Sequence, residues 1–173
     1  MKELEYLGNR DLLKLPKTAF LASNTISSET VLHCYDWATE MRHQGRCVVS
    51  GFSSKLERDV LHFLLKGNQP IIIALARQMY KALPMNLKAA LEQNRLLIIS
   101  TSHAVRQSRA TALARNRYVC EMAEQVVLVG TDASLGLRSL AEAFRAKTCE
   151  MVRSHEENEK MQEVELKIRD TIL

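Results

Sequence analysis

The chain has 173 residues, near the commonest size of a single domain, and 46% of them are apolar and 25% charged. This balance excludes a mainly disordered protein, and no apolar run approaches the ~20 residues of a membrane-spanning helix. The net charge of +4 hides a basic segment, residues 60–120, in which nine Lys and Arg stand against Glu92 alone, so we expect an anionic partner.

The amino-terminal residues 1–16 are charged throughout and lack the apolar centre of a signal peptide. We therefore expect a cytoplasmic protein without membrane contact. The four cysteines are scattered, with neither zinc-site spacing nor a disulfide framework, which predicts buried free thiols and no metal or other cofactor. They are Cys34, Cys47, Cys120 and Cys149.

Five short apolar runs predict strands. They are rich in Val, Ile and Leu and do not alternate with polar residues, a pattern typical of strands buried on both faces of a parallel sheet. In chain order they are Thr18–Ser23, Arg46–Ser50, Pro70–Leu75, Arg95–Ser100 and Gln125–Gly130.

Helical patterns fill the gaps between these runs. Apolar residues after Ser28 recur at helical spacing, and Ser54 and Glu57 have the spacing of a capping box. Further helices are predicted in residues 85–94, in 109–124 and from Leu137 onward. Alternating strands and helices predict a doubly wound α/β fold with a mainly parallel sheet of about five strands.

The last segment, residues 146–173, is acidic and contains neither Gly nor Pro. It predicts a charged helix that packs on, or extends from, a domain formed by residues 1–145. Its apolar positions are too few for a sustained heptad, so a coiled-coil partner is weakly supported.

Ligands of open α/β sheets bind beyond the carboxyl ends of the strands, where this sequence has many small hydroxyl residues. Ser23 and Asn24 lie at the carboxyl end of the first predicted strand, and Ser50, Gly51 and Ser53 lie at that of the second. Hydroxyls, glycine and helix N-termini bind anions, although the same residues are also ordinary helix caps and turn residues. No nucleophile elbow, spaced histidines or paired carboxylates accompany them, so we do not expect an enzyme.

A pair of arginines at the end of a predicted helix indicates a positive wall beside these loops. Arg115 and Arg117 are interpreted as phosphate ligands, and Asn116 between them as a residue that caps the loop or contacts a polar group of the ligand. Phe52 and Tyr118 are the nearest aromatic side chains for base stacking, although Tyr118 has the spacing of a core residue.

Ser50-Gly51, the Arg115–Arg117 segment and the glycine-bearing loop after the last strand resemble the DNA-processing protein family DprA/Smf. The similarity runs from about Leu7 to Ala143, and its most specific stretch is ALARNRYVCEMAEQVVLVG. It implies a Rossmann-like domain of the wider SLOG nucleotide-binding group. Asn24 stands where the family has an arginine, and Leu135 stands where it has a small residue.

The resemblance implies a protein that binds a nucleotide or single-stranded DNA in DNA uptake or recombination, forms a homodimer and passes the strand to a RecA-type recombinase. The residues expected around the pocket are Ser23, Asn24, Ser50, Gly51, Ser53, Arg115, Asn116, Arg117 and Gly136.

Two other hypotheses remain open at this point. A sister SLOG family hydrolyses nucleotides, and Glu142 is a distant counterpart of its catalytic glutamate. The third hypothesis is a dimeric scaffold with a degenerate pocket, which associates through the carboxyl-terminal helix or a sheet edge.

Overall fold

Seven strands form one sheet in the computed structural model, which describes residues 3–151 and 155–172. The strands are β1 (Glu5–Gly8), β2 (Lys17–Ala22), β3 (Cys47–Ser50), β4 (Ile71–Leu75), β5 (Leu96–Ser100), β6 (Gln125–Val129) and β7 (Thr148–Glu150). Their spatial order is β1-β5-β4-β3-β2-β6-β7, and only β1 runs antiparallel to its neighbour. The α/β fold with a mainly parallel sheet is therefore confirmed, and the five predicted strands form its centre.

The predicted helices are also present. They are α1 (Ser28–Gln44), α2 (Lys55–Leu65), α3 (Lys88–Glu92), α4 (Arg109–Met122), α5 (Leu135–Ala143) and α6 (His155–Ile172). Ser27 caps α1, and the capping box of Ser54 and Glu57 begins α2 as its spacing predicts. α1 ends at Gly45, whose left-handed backbone closes the last turn.

The helices cover the two faces of the sheet and bury two apolar cores. Side chains of α1, α2 and α3 pack on one face, with Cys34, Val60 and Ala90 among the buried residues. Side chains of α4 and α5 pack on the other face, where Val119 and Leu140 are buried. The strand order reverses between β2 and β6. The carboxyl ends of the parallel strands lie together at one end of the sheet, which we call the carboxyl edge.

Two strands at the edges of the sheet, β1 and β7, were not among the five that the sequence predicts. Thr148–Glu150, predicted as helical, instead forms β7, which pairs with Val126–Leu128 of β6. β1 pairs with β5 at the opposite side of the sheet. In the described parts of the chain no helix is both long and apolar enough to cross a membrane.

Three cysteines are buried free thiols, as predicted, and the prediction is wrong for Cys149, which is exposed on the edge strand β7. Burial raises the pKa of Cys34 and of Cys47 to about 12, and that of Cys120 to about 11. Cys34 belongs to one core and the other two belong to the second. The thiols therefore report on the packing of both faces.

Alkylation of the native protein with iodoacetamide at pH 8 is expected to modify Cys149 alone, because the thiolate is the nucleophile and the buried thiols remain protonated. Mass spectrometry of the peptides gives the modified positions, and the same reaction in urea should modify all four cysteines. Rapid labelling of Cys34 or Cys120 without denaturant would contradict the packing described here.

Candidate anion-binding site at the carboxyl edge

A tight loop joins β3 to α2 at the carboxyl edge. The hydroxyl of buried Ser50 accepts a hydrogen bond from the N–H of Phe52 at 3.0 Å. Phe52 has a φ of 47°, a left-handed value that is uncommon for a residue other than glycine. Gly51 therefore lies in a turn that is fixed by the hydrogen bond between Ser50 and Phe52 and by the buried side chain of Phe52.

The guanidinium group of Arg115 packs directly on Gly51. A Cβ atom built on Gly51 would overlap Arg115 Cζ and Nη1, so any side chain at this position would have to displace the guanidinium. Arg115 Nη1 donates to the carbonyl oxygen of Ala74 at 3.2 Å, and Nε donates to Oδ1 of Asn116 at 2.8 Å. Only 3% of Arg115 is exposed, so this guanidinium joins α4 to the ends of β3 and β4.

The carboxylate of Glu57, in the first turn of α2, lies against the same loop. Oε1 accepts hydrogen bonds from the N–H groups of Ser53 at 2.9 Å and Ser54 at 3.3 Å, and Oε2 accepts one from Ala22 at 2.9 Å. Burial lowers the pKa of Arg115, and the negative charge of Glu57 opposes that shift. Both side chains are buried beside the loop of Gly51.

Arg117 lies apart from Arg115. Residues two apart on an α-helix are separated by about 200° around its axis, so the two guanidinium groups leave α4 on different sides. Arg117 Nε pairs with Glu121 at 3.3 Å, and its guanidinium lies 5.6 Å from the ring centre of Phe144. The structure therefore brings Arg115 and Asn116 to the loop of Ser50, Gly51 and Ser53, and Arg117 to another surface.

The remaining predicted site residues have local roles in the fold. The hydroxyl of Ser23 donates to Thr25 O at 3.2 Å and touches Gly130, where β2 and β6 end. Asn24 is exposed beside it. Gly136 lies in the first turn of α5 and allows Leu113 of α4 to pack closely, since a built Cβ would be 2.8 Å from Leu113 Cδ2.

Of the two aromatic candidates for base stacking, Phe52 is buried and Tyr118 is partly buried. Phe52 is buried in the core beneath α1 and α2. Tyr118 packs partly against the core of the other face, and burial raises its pKa. Contacts to the ligand at this edge would therefore come mainly from charged and polar groups.

The loops after β3, β4 and β5 join into one surface. Ser53 Oγ lies 3.0 Å from Gln107 Nε2, and the N–H of Gln78 donates to the carbonyl oxygen of Ala104 at 2.8 Å. Ser100 Oγ donates to the carbonyl oxygen of Arg77 at 2.7 Å. These bonds place the side chains that flank the three loops on a single side of the molecule.

Four arginines lie in these loops or in the first turn of the helices that follow them, and we call this group the basic rim: Arg58, Arg77, Arg106 and Arg109. Arg58 Nη1 donates to the carbonyl oxygen of Ser53 at 3.0 Å, and Arg77 Nε is buried without a hydrogen-bond partner among the described residues. Within residues 3–151 and 155–172, no carboxylate oxygen lies within 4 Å of a side-chain nitrogen of these four arginines. Arg77, Arg106 and Arg109 belong to the basic segment, residues 60–120, whereas Arg58 lies outside it.

The described residues contain no cluster of three or more His, Cys, Asp or Glu side chains that could hold a metal ion. Glu142 lies at the end of α5 and faces Arg145 at 3.9 Å.

Comparison with known families identifies one match. The sequence model of the DNA recombination-mediator protein A family matches residues 2–155, most of the chain. No curated protein matches the chain in sequence.

Two solved structures share the fold. DNA processing protein A from Helicobacter pylori, described for its single-stranded DNA binding mode, is 21% identical with a TM-score of 0.69, covering 94% of this chain and 79% of that protein. DNA processing protein A from Streptococcus pneumoniae is 20% identical with a TM-score of 0.67, covering 85% of this chain. This chain spans about half, 54%, of the Streptococcus protein.

The contact between Gly51 and Arg115 predicts a coupled effect on stability. Gly51→Ala should lower the free energy of unfolding by about 1–3 kcal/mol, because the new methyl group displaces a guanidinium that two hydrogen bonds hold. In an Arg115→Ala background the same change should cost about 1 kcal/mol less. Urea unfolding of the four proteins measures the coupling, and additive effects would show that the two residues do not restrain each other.

Proposed function

We propose a function for this chain, which belongs to the DNA recombination-mediator protein A family. It binds single-stranded DNA through the basic rim and has no catalytic activity of its own. The fold it shares with a relative described as binding single-stranded DNA supports the same class of ligand. The observation that carries the proposal is a group of arginines that have no carboxylate partner among the described residues and that lie at the edge where this fold binds ligands.

Electrostatics favour a polyanion at this surface. Each phosphate contact made by an arginine releases condensed counterions from the nucleic acid, and this supplies most of the affinity that does not depend on sequence. Arg106 and Arg109 are exposed on either side of Gln107, which contacts Ser53 on the neighbouring loop. A strand that crosses these loops would meet several guanidinium groups in succession.

The amino end of α4 adds to the attraction. Ser108 caps this 14-residue helix, and its first turn carries Arg109 and no acidic residue. A positive side chain near a helix N-terminus is unfavourable by itself, by about 0.3–1 kcal/mol, because it faces the positive end of the helix dipole. A DNA phosphate would neutralise the charge of Arg109 and interact favourably with the positive end of the helix dipole. Its binding would therefore relieve the repulsion between Arg109 and the dipole.

In this proposal Arg115 has a structural role, whereas the sequence indicated that it binds phosphate. Its guanidinium is buried and bonded to Ala74 and Asn116, so it supports the loop of Gly51 from below. We infer that Ser53 is the residue of the predicted pocket that lies nearest the strand, since it joins the basic rim through Gln107. Arg117, on another surface, would not contact a strand bound there.

The wider setting follows from the family and is part of the proposal. We propose that the chain acts in the cytoplasm in DNA uptake or recombination, that it forms a homodimer, and that a RecA-type recombinase receives the bound strand. The alternative of a nucleotide-hydrolysing enzyme gains no support from the geometry, because Glu142 is exposed and faces Arg145.

The basic rim can be tested by charge reversal. The double variant Arg106→Glu/Arg109→Glu is expected to weaken binding to an oligothymidine by about tenfold or more, and to reduce the slope of log K against log salt by about 1.4. Fluorescence anisotropy with a labelled oligonucleotide, repeated over a range of salt concentrations, measures both quantities.

The matched control is Arg145→Glu/Arg169→Glu, which makes the same change in net charge at exposed positions outside the rim. It should leave the salt slope close to that of the wild type. Equal losses in the two double variants would show that net charge alone, and not the basic rim, controls binding.

A further inference from the structure

The carboxyl-terminal helix α6 has an acidic side. The helix carries six Asp and Glu against three Lys and Arg. Glu163, Leu166 and Asp170 are exposed, and their three- and four-residue spacing places them on one side of a helix. In the sequence the same spacing continues backwards to Glu159 and Glu156, and no Lys or Arg occupies this series of positions. We call these five positions the acidic face.

α6 follows a strand that ends at the carboxyl edge. β7 runs parallel to β6, and beyond its last residue the N–H of Met151 donates to the carbonyl oxygen of Leu128 at 3.1 Å. Residues 152–154 then join Met151 to α6. The ends of β3, β4 and β5 lie three to five strands from β7, which is about 14–24 Å at the usual strand spacing. An 18-residue helix is about 27 Å long, so α6 can reach the basic rim of its own chain.

The basic rim is complementary to the acidic face. Arg106 and Arg109 have no carboxylate partner among the residues that the structure describes, and Arg109 lies at the amino end of α4, where the helix dipole favours a negative group. Leu113, one turn after Arg109, packs on the first turn of α5 beside Leu135, and both leucines are exposed. Leu166 of the acidic face is exposed as well, so the two surfaces offer apolar contacts beside the ionic ones.

We propose that the acidic face of α6 docks on the basic rim of the same chain and competes there with single-stranded DNA. The inference rests on the proposed function, because it adds a competitor at the DNA-binding surface. Carboxylates along a helix present negative charges to arginines as the phosphates of a strand do. Docking lowers the apparent affinity for DNA in proportion to the fraction of molecules whose rim is covered. A long strand, which makes more phosphate contacts, displaces α6 more readily than a short one does.

Docking is tested without DNA by a spin label on α6. Thr171→Cys in a Cys149→Ser background leaves one exposed thiol, because the other three cysteines are buried. A nitroxide on this thiol should broaden the amide signals of residues 105–109 in ¹H–¹⁵N spectra, and saturating oligothymidine should restore them. Rim signals as sharp as those of the reduced label, or broadening that the oligonucleotide does not relieve, would overturn the proposal.

A mixed sample shows which copy of the helix docks. Spin-labelled protein of natural isotope content is added to ¹⁵N-labelled protein that carries no spin label. The signals of residues 105–109 should stay sharp, because the helix docks on its own chain. Broadening in this mixture would show contact between two copies and would contradict docking within one chain.

Competition is tested by removing charge from the acidic face. Glu156→Gln/Glu163→Gln should bind an oligothymidine at least about threefold more tightly than the wild type, because the rim is covered in fewer molecules. The matched control is Glu157→Gln/Glu165→Gln, which makes the same charge change on the same helix outside the acidic face. It should gain clearly less affinity.

The two variants separate docking from a general effect of charge. Equal gains in both, or no gain over the wild type in the acidic-face variant, would overturn competition by α6. If neither variant nor the wild type bound DNA while the spin label still broadened the rim signals, the proposed function would be wrong and docking would stand.

Discussion

A buried arginine organises the carboxyl edge of this protein. Arg115 reaches from α4 on one face of the sheet, packs on Gly51 after β3 and donates to Ala74 at the end of β4. Because the guanidinium is charged and almost fully buried, it requires acceptors at fixed positions and an opposite charge nearby. The glycine, the strained turn at Phe52 and the inward carboxylate of Glu57 are all consistent with that requirement. The loops that carry the basic rim are in turn supported by this arrangement.

Most of the fold could be predicted from the sequence, because the central strands are buried on both faces and their apolar runs are unmistakable. The helix starts at Ser27 and Ser54 were also predictable, since capping is local chemistry. β1 and β7 could not be predicted in this way. They are short edge strands that combine polar and apolar residues, and their conformation depends on pairing with β5 and β6.

Less of the candidate site could be predicted. The sequence identified Ser50, Gly51 and Arg115 as neighbours, and the structure brings them together, but the burial of Arg115 depends on how α4 is rotated against the sheet. Helix geometry alone would have separated Arg117 from Arg115. The basic rim depends on three loops that meet only in the folded chain, so the net charge of residues 60–120 indicated Arg77, Arg106 and Arg109 without their location and did not include Arg58.

In the proposed mode of binding, single-stranded DNA contacts the outer loops while Arg115 and Glu57 stay buried beneath them. The most direct measurement is the response of the Arg115 Nε–H signal and of the backbone amides when an unlabelled oligothymidine is added to the ¹⁵N-labelled protein. The largest changes in amide chemical shift are expected at residues 77–81 and 101–109, and the Arg115 Nε–H and Ala22 signals should not change. Large shifts of those two signals, with the outer loops unaffected, would contradict it.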